Sequence, residues 1–108
     1  MQPDVFEAVA EPSRRVLLDL LAGGERSAGE LVEALPDLTQ PAVSRHLRVL
    51  RDVGLVESRI DAQRRIYRLR PDGLAPLDAW LARYRRYWTD HLDALERHLD
   101  RRAQEKSP

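Results

Sequence analysis

The residues with the most chemical capacity lie in the run Thr39-Gln40-Pro41-Ala42-Val43-Ser44-Arg45-His46-Leu47-Arg48. At about 100° per helical residue, Pro41, Arg45 and Arg48 fall on the side opposite Val43, Leu47 and Leu50. Gln40, Ser44 and Arg51 lie on one flank, and His46 on the other, next to the core edge. An amide, a hydroxyl and guanidinium groups on one exposed ridge are the set that reads nucleic acid. Gln40 and Ser44 can meet base edges, and Arg45 and Arg48 can take guanine or phosphate. Thr39 is a good N-cap, the free N–H groups beside it favour a phosphate, and Pro41 does no harm in a first turn. Further along, Arg64 and Arg65 would add salt-dependent affinity for a phosphate backbone. His46 has two readings, hydrogen-bonded packing or groove contact. Arg14 and Arg15 also have two, phosphate contact or pairing with acids of their own segment. Arg51, near the end of its helix, is assigned to the helix dipole.

Other chemistries find less. Ser44 and His46 are two apart on a helix and do not face each other, no glycine-rich loop cradles a phosphate, and no convergent carboxylate pair stands out. An enzyme is not expected. With no cysteine in 108 residues, disulfide frameworks, thiolate-held metals and thiol nucleophiles are excluded. His91 and His98 are seven apart, too distant along one helix to chelate one ion together, and are read as packing or hydrogen bonding at an interface. A metal bridging two subunits stays open for them; no cofactor is expected.

The net charge of zero conceals a division. Residues 1–38 carry three arginines against eight acids, residues 39–70 eight arginines against three acids, and residues 71–108 are balanced. A basic middle after an acidic head is the asymmetry of a surface that meets a polyanion, although a solvated arginine-rich face has the same charge. Arginine outnumbers lysine 17 to 1, which GC-rich coding explains better than a demand for guanidinium, although guanidinium also suits phosphate and guanine edges.

These residues need elements to hold them. Val5, Phe6 and Val9 predict a short helix stopped at Glu11-Pro12. A second helix from Pro12 uses Val16, Leu17, Leu20 and Leu21 and ends at Gly23-Gly24. Ser27 with Glu30 has the capping-box spacing for a third, whose Leu31, Val32 and Leu35 precede Pro36-Asp37. The recognition helix is expected at about 39–53, closed by Gly54. There the apolar period falls to two, giving strands over 55–60 and 65–70 joined by Asp61-Ala62-Gln63-Arg64, a hairpin with a charged tip. Pro71-Asp72-Gly73 resets the chain for one long helix, about 74–102, with Leu77, Leu81, Tyr84, Trp88, Leu92, Leu95 and Leu99 at steps of three and four. Residues 103–108 read as a frayed tail. Trp80, Tyr84, Tyr87 and Trp88 are read as packing rather than as a ligand pocket.

The expected class is mainly α with a small β-hairpin, in the order of a winged helix-turn-helix, one domain over 1–102. With no basic stretch leading into an apolar segment and no apolar run near the roughly 18 residues that cross a bilayer, the expected location is cytoplasmic, away from membranes.

The runs Asp4 to Arg15, Ser27-Ala28-Gly29-Glu30-Leu31, Thr39 to Leu50 and Gly54-Leu55-Val56 resemble the ArsR family of bacterial transcriptional repressors over nearly the whole chain. Gln40 to Leu50 is the most specific part, because its polar positions match as well as its apolar ones. The resemblance implies a homodimer that binds a short inverted repeat in double-stranded DNA and pairs through its first and last helices. Val5 and Phe6 would then join Leu77, Leu81, Tyr84, Trp88, Leu92, Leu95 and Leu99 in the dimer interface. The cysteine pair of the metal-sensing members is absent, which places the chain in the cysteine-free, autorepressor-like branch. Two further departures are an inter-helix turn longer by one residue at Pro36-Asp37, and a wing tip lacking the usual glycine. Three readings follow: a repressor without a metal effector, a regulator sensing a metal or small molecule at its dimer interface, and a winged-helix protein-interaction module.

Overall fold

The structure, a computed structural model, describes residues 4–105 and divides into two compact units, Met1–Pro76 and Leu77–Pro108. The first unit begins with α1 (Val5–Ala10) and α2 (Pro12–Ala22), each opened by a carboxylate. Asp4 accepts from the Glu7 N–H at 2.9 Å and Glu11 from the Arg14 N–H at 3.1 Å. Then come β1 (Arg26–Ser27), α3 (Ala28–Ala34), α4 (Gln40–Asp52), β2 (Val56–Asp61) and β3 (Arg64–Leu69). The Ser27–Glu30 capping box forms in both directions, with the Ser27 N–H donating to Glu30 at 3.1 Å and the Glu30 N–H to Ser27 Oγ at 3.2 Å. Thr39 Oγ1 caps α4 by accepting from the Ala42 N–H at 3.2 Å.

The three strands form an antiparallel sheet in the order β1-β3-β2, with Val56 opposite Leu69 and Asp61 opposite Arg64. The hairpin is as expected to within a residue at each end. β1 was not expected: it pairs Arg26 with Tyr67 and Ser27 with Ile66, and two residues are too few to show a period. Leu17, Leu31, Val43, Leu50 and Leu55 are completely buried, and Leu21, Leu47 and Val56 nearly so. Each fully buried leucine contributes roughly 1.5–3 kcal/mol of transfer free energy. Together they seat α4 by its apolar side against α2, α3 and β2 and leave its polar side outward.

Gly54 follows the end of α4 with φ +83°, the left-handed stop its position demands. A 3-10 turn, Pro71–Leu74, follows β3, and in it Gly73 lies against Gly54. A Cβ on Gly73 would sit 2.9 Å from the Gly54 carbonyl carbon and closer still to its oxygen, both backbone atoms that cannot rotate away. Gly73→Ala is therefore expected to destabilise the unit by about 1–3 kcal/mol, as overpacked cores do, visible as a lowered Tm. An unchanged Tm would mean that the turn moves freely from Gly54.

At the wing tip the connection is only Ala62 and Gln63, and Ala62 has φ +58°. The tip thus adopts a glycine-like conformation with a Cβ in place, a cost of roughly 1–2 kcal/mol. Ala62→Asn, which tolerates this conformation, is expected to raise Tm.

α5 (Ala75–Glu105), all but its first two residues in the second unit, is a helix of 31 residues, about 46 Å long. It continues through Ala103–Glu105, where fraying was expected; Lys106–Pro108 lie outside the described residues. None of its residues is buried. Trp80, Tyr84, Trp88, Leu92, Leu95 and Leu99 are all 43–60% exposed, an apolar stripe along one side. Trp80 and Tyr84 meet edge to face at 5.2 Å, and Tyr87 stacks on His91 at 6.2 Å.

Candidate nucleic-acid interface

α4 presents Gln40, Pro41, Ser44, Arg45 and Arg48 together on its exposed side. Pro41, Ser44, Arg45 and Arg48 line one shallow concavity on its surface, of about 370 Å³. On the opposite flank His46 is mostly covered, its side chain 19% exposed. Arg14 Nη1 donates to His46 Nδ1 at 3.2 Å, which places the ring proton on Nε2, 3.8 Å from Glu11 Oε2. The His46 ring is thus hydrogen-bonded in the protein. The ring joins α4 to the start of α2.

Arg14 and Arg15 form no ion pair with the acids of their segment among the described residues; both reach back to the end of α1. Arg14 Nε donates to the Ala8 carbonyl at 2.7 Å and Nη2 to that of Glu7 at 3.3 Å. Arg15 Nη1 donates to Val9 and Ala10 carbonyls at 2.7 and 3.1 Å. The last four carbonyls of a helix lack partners inside it, and these two arginines supply them for α1.

The eight arginines of the basic middle segment fall into two sets. Arg59 forms a two-point pair with Glu25 at 2.8 and 3.0 Å, Arg64 pairs with Glu30 at 3.0 Å, Arg68 with Glu57, and Arg70 with Asp72 at 3.2 Å. Arg45, Arg48, Arg51 and Arg65 have no ion pair among the described residues; Arg65 donates only to the neutral Ser58 hydroxyl, at 3.3 Å. Three of the paired set lie on the hairpin and Arg70 directly follows β3, whereas three of the unpaired four lie on α4. Of the two wing arginines singled out by sequence, Arg65 keeps an uncompensated charge and Arg64 is held by Glu30.

These pairs make the acid limb of stability specific. The Ser27 backbone N–H, then the Ser27 hydroxyl and Arg64, hold the Glu30 carboxyl below its ordinary 4.5, and hydrogen bonds from Arg59 do the same for Glu25. A carboxyl lowered in the folded state stabilises above its unfolded value and loses that contribution as pH falls through the folded one. Stability is thus expected to decline as pH drops below about 4.5, with Glu30→Gln showing a shallower decline. Chemical denaturation between pH 3 and 6 checks this, and identical slopes would remove Glu30 from the account.

On α5, Asp78 pairs with Arg85, and His91 is occupied by its stack on Tyr87. Among the described residues no three His, Asp or Glu side chains converge as a metal site, and no helix is long and apolar enough to cross a membrane.

Residues 9–59 match the family described as a helix-turn-helix domain. The chain is 40% identical to the HTH-type transcriptional regulator Rv2034 of Mycobacterium tuberculosis, over 91% of this chain and 89% of that protein. It superimposes on the solved structure of an ArsR-like transcriptional regulator from Rhodococcus sp. RHA1 with a TM-score of 0.65 and 30% identity, covering 86% and 87% of the two chains. The chain belongs to the ArsR family of helix-turn-helix transcriptional regulators. ArsR proteins are DNA-binding regulators rather than a class of enzymes, and the helical body with its antiparallel wing and long last helix is their winged architecture. The transcriptional repressor SdpR of Bacillus subtilis is 31% identical over 75% of this chain and 89% of its own. With no cysteine, the chain fits the cysteine-free branch of the ArsR family.

Proposed function

We propose that the protein is a homodimeric repressor that binds an inverted-repeat operator and blocks transcription by occupying a promoter, its own among the candidates, without a metal effector. The observation that carries this is the exposed ridge of α4, on which Arg45 and Arg48 stand uncompensated beside Gln40 and Ser44. In this reading the N-terminal half of α4 enters a major groove, Gln40, Ser44 and Arg45 meet base edges, and the Thr39–Pro41 turn approaches a phosphate. Arg64 and Arg65 lie over the neighbouring backbone, and His46 orients α4. The name of SdpR supports repression, and the apolar stripe of α5 supports pairing with a second copy, since such a surface on one helix is costly to leave in water. Of the two α1 residues assigned to the interface, Val5 is buried within its own unit and Phe6 is 39% exposed, so Phe6 is the one that contributes surface. Such a regulator acts in the cytoplasm, at the chromosome.

The test is a titration of the purified protein on its own upstream region and on random DNA at several salt concentrations. Tight, sequence-dependent binding as a dimer with a steep salt slope is the expected result. Weak and equal binding to both DNAs would exclude that upstream region as the operator. A genome-wide pull-down without enriched sites would then favour the protein-interaction module.

A further inference from the structure

Beside the outer ridge of α4 lies a second concavity of about 310 Å³, lined by Ala28, Ser44, Arg48, Arg51, Arg65 and Tyr67. Three elements build it. Ser44, Arg48 and Arg51 are spaced i, i+4, i+7, one stripe of α4; Arg65 and Tyr67 are two apart on β3 and so share a face; Ala28 opens α3. Its lining holds three guanidinium groups and two hydroxyls and no carboxylate. Every other arginine of the basic middle segment except Arg45 is neutralised by an acid, yet the three in this cleft are not. Nor do the Ser44 and Tyr67 hydroxyls have hydrogen-bond partners among the described residues; Tyr67 is mostly buried, but its hydroxyl reaches the surface. Three cations with fixed forks and two free hydroxyl donors around one acid-free hollow constitute a site for an oxyanion.

We propose that this cleft is a phosphate clamp, holding one backbone phosphate of the DNA whose major groove receives α4. This deepens the DNA-binding reading and rests on it. The hollow lies between α4 and the wing strand β3 rather than on the outer ridge of α4, at the side of the surface that would face a groove. Arg51 and Arg65 are its dedicated cations, with Tyr67 donating from the floor. Arg48 and Ser44 line both this cleft and the outer concavity, so they stand between phosphate and base, while Arg45 lines the outer one alone. Arg51 thus contacts DNA, a role its place at the helix end had concealed, and the wing fixes register by closing on the same phosphate as the helix.

The experiment compares the full chain with Arg51→Ala, Arg65→Ala, Arg51→Lys, Tyr67→Phe and, as a control, Arg59→Ala, on the upstream region and on random duplex over a range of salt. Arg51→Ala and Arg65→Ala are each expected to reduce the slope of log K against log salt by about 0.9 and to weaken both DNAs by the same factor, about tenfold. Arg51→Lys keeps the slope, Tyr67→Phe weakens both DNAs by a smaller equal factor, and Arg59→Ala changes neither. Circular dichroism confirms folding, which these exposed arginines do not support. If the wild type binds with a salt-dependent slope that Arg51→Ala and Arg65→Ala leave unchanged, the clamp is wrong and the DNA reading stands. If the wild type shows no salt-dependent binding to either DNA, both fall. Losses confined to one DNA would make Arg51 a base contact and overturn the assignment. Inorganic phosphate at matched ionic strength supplies the remaining arm. A rise in Tm for the wild type but not for Arg51→Ala, with DNA slopes unaltered, would assign the cleft to a free phosphorylated ligand instead.

Discussion

Leu92→Glu combined with Leu95→Glu is expected to turn a dimer into a monomer in sedimentation and to lower operator affinity by a hundredfold or more. The two leucines are 60% and 48% exposed in the single chain, so the charges enter solvent there and the fold of the first unit is untouched. In a pair of α5 helices the same charges would have to be buried together, at several kcal/mol per ion unless they protonate. A dimer on an inverted repeat binds its second half-site intramolecularly, a coupling worth about 10²–10⁴ in affinity, and that factor is what the monomer forfeits. Removing the residues after Tyr84 is expected to have the same effect. A double variant that stays dimeric, or a monomer that holds the operator as tightly as the parent, would show that α5 is not the seam.

Arg45→Ala carries the second large effect. Arg45 is exposed, has no ion pair among the described residues and lines only the outer concavity of α4. As a bidentate reader of a base edge it is expected to contribute about 1–3 kcal/mol of discrimination, and the variant is expected to lose that much on the operator, with relaxed preference at one base-pair position. Random DNA should notice it far less. The contrast with Arg51→Ala is the informative part, since a phosphate contact weakens every sequence alike. Equal losses on operator and random DNA would move Arg45 into the phosphate class.

Much of this arrangement was legible in the chain, and the reasons are local. Thr39, the Ser27–Glu30 pair and Gly54 each act within three or four residues, so their spacing announces the helix ends that the structure displays. The switch of apolar period after Gly54 places the hairpin. Glu11 was missed as the cap of α2 because glutamate is not among the preferred N-caps. The two arginines that close α1 reach back five to seven residues across a corner, a distance no helical or strand period reports. The division of the arginines was the least accessible. Glu25 and Arg59 are 34 positions apart, as are Glu30 and Arg64, and neither pair exists until β3 lies between β1 and β2. Sequence placed eight arginines in one segment but could not separate those already neutralised from those left for a ligand.

That division has a consequence for how the protein finds its site. A chain whose charges cancel overall, with most of its hairpin arginines matched by carboxylates, exerts little pull on DNA from afar. The four guanidiniums of residues 39–70 that lack an ion pair among the described residues act only within about a Debye length, roughly 8–10 Å at cellular ionic strength. If α4 reads bases as proposed, capture is expected to begin at contact rather than at a distance, in the unsteered range of about 10⁵–10⁶ M⁻¹s⁻¹. Wrong sites would then retain the protein only briefly, and its time on DNA would be concentrated where the bases agree with α4.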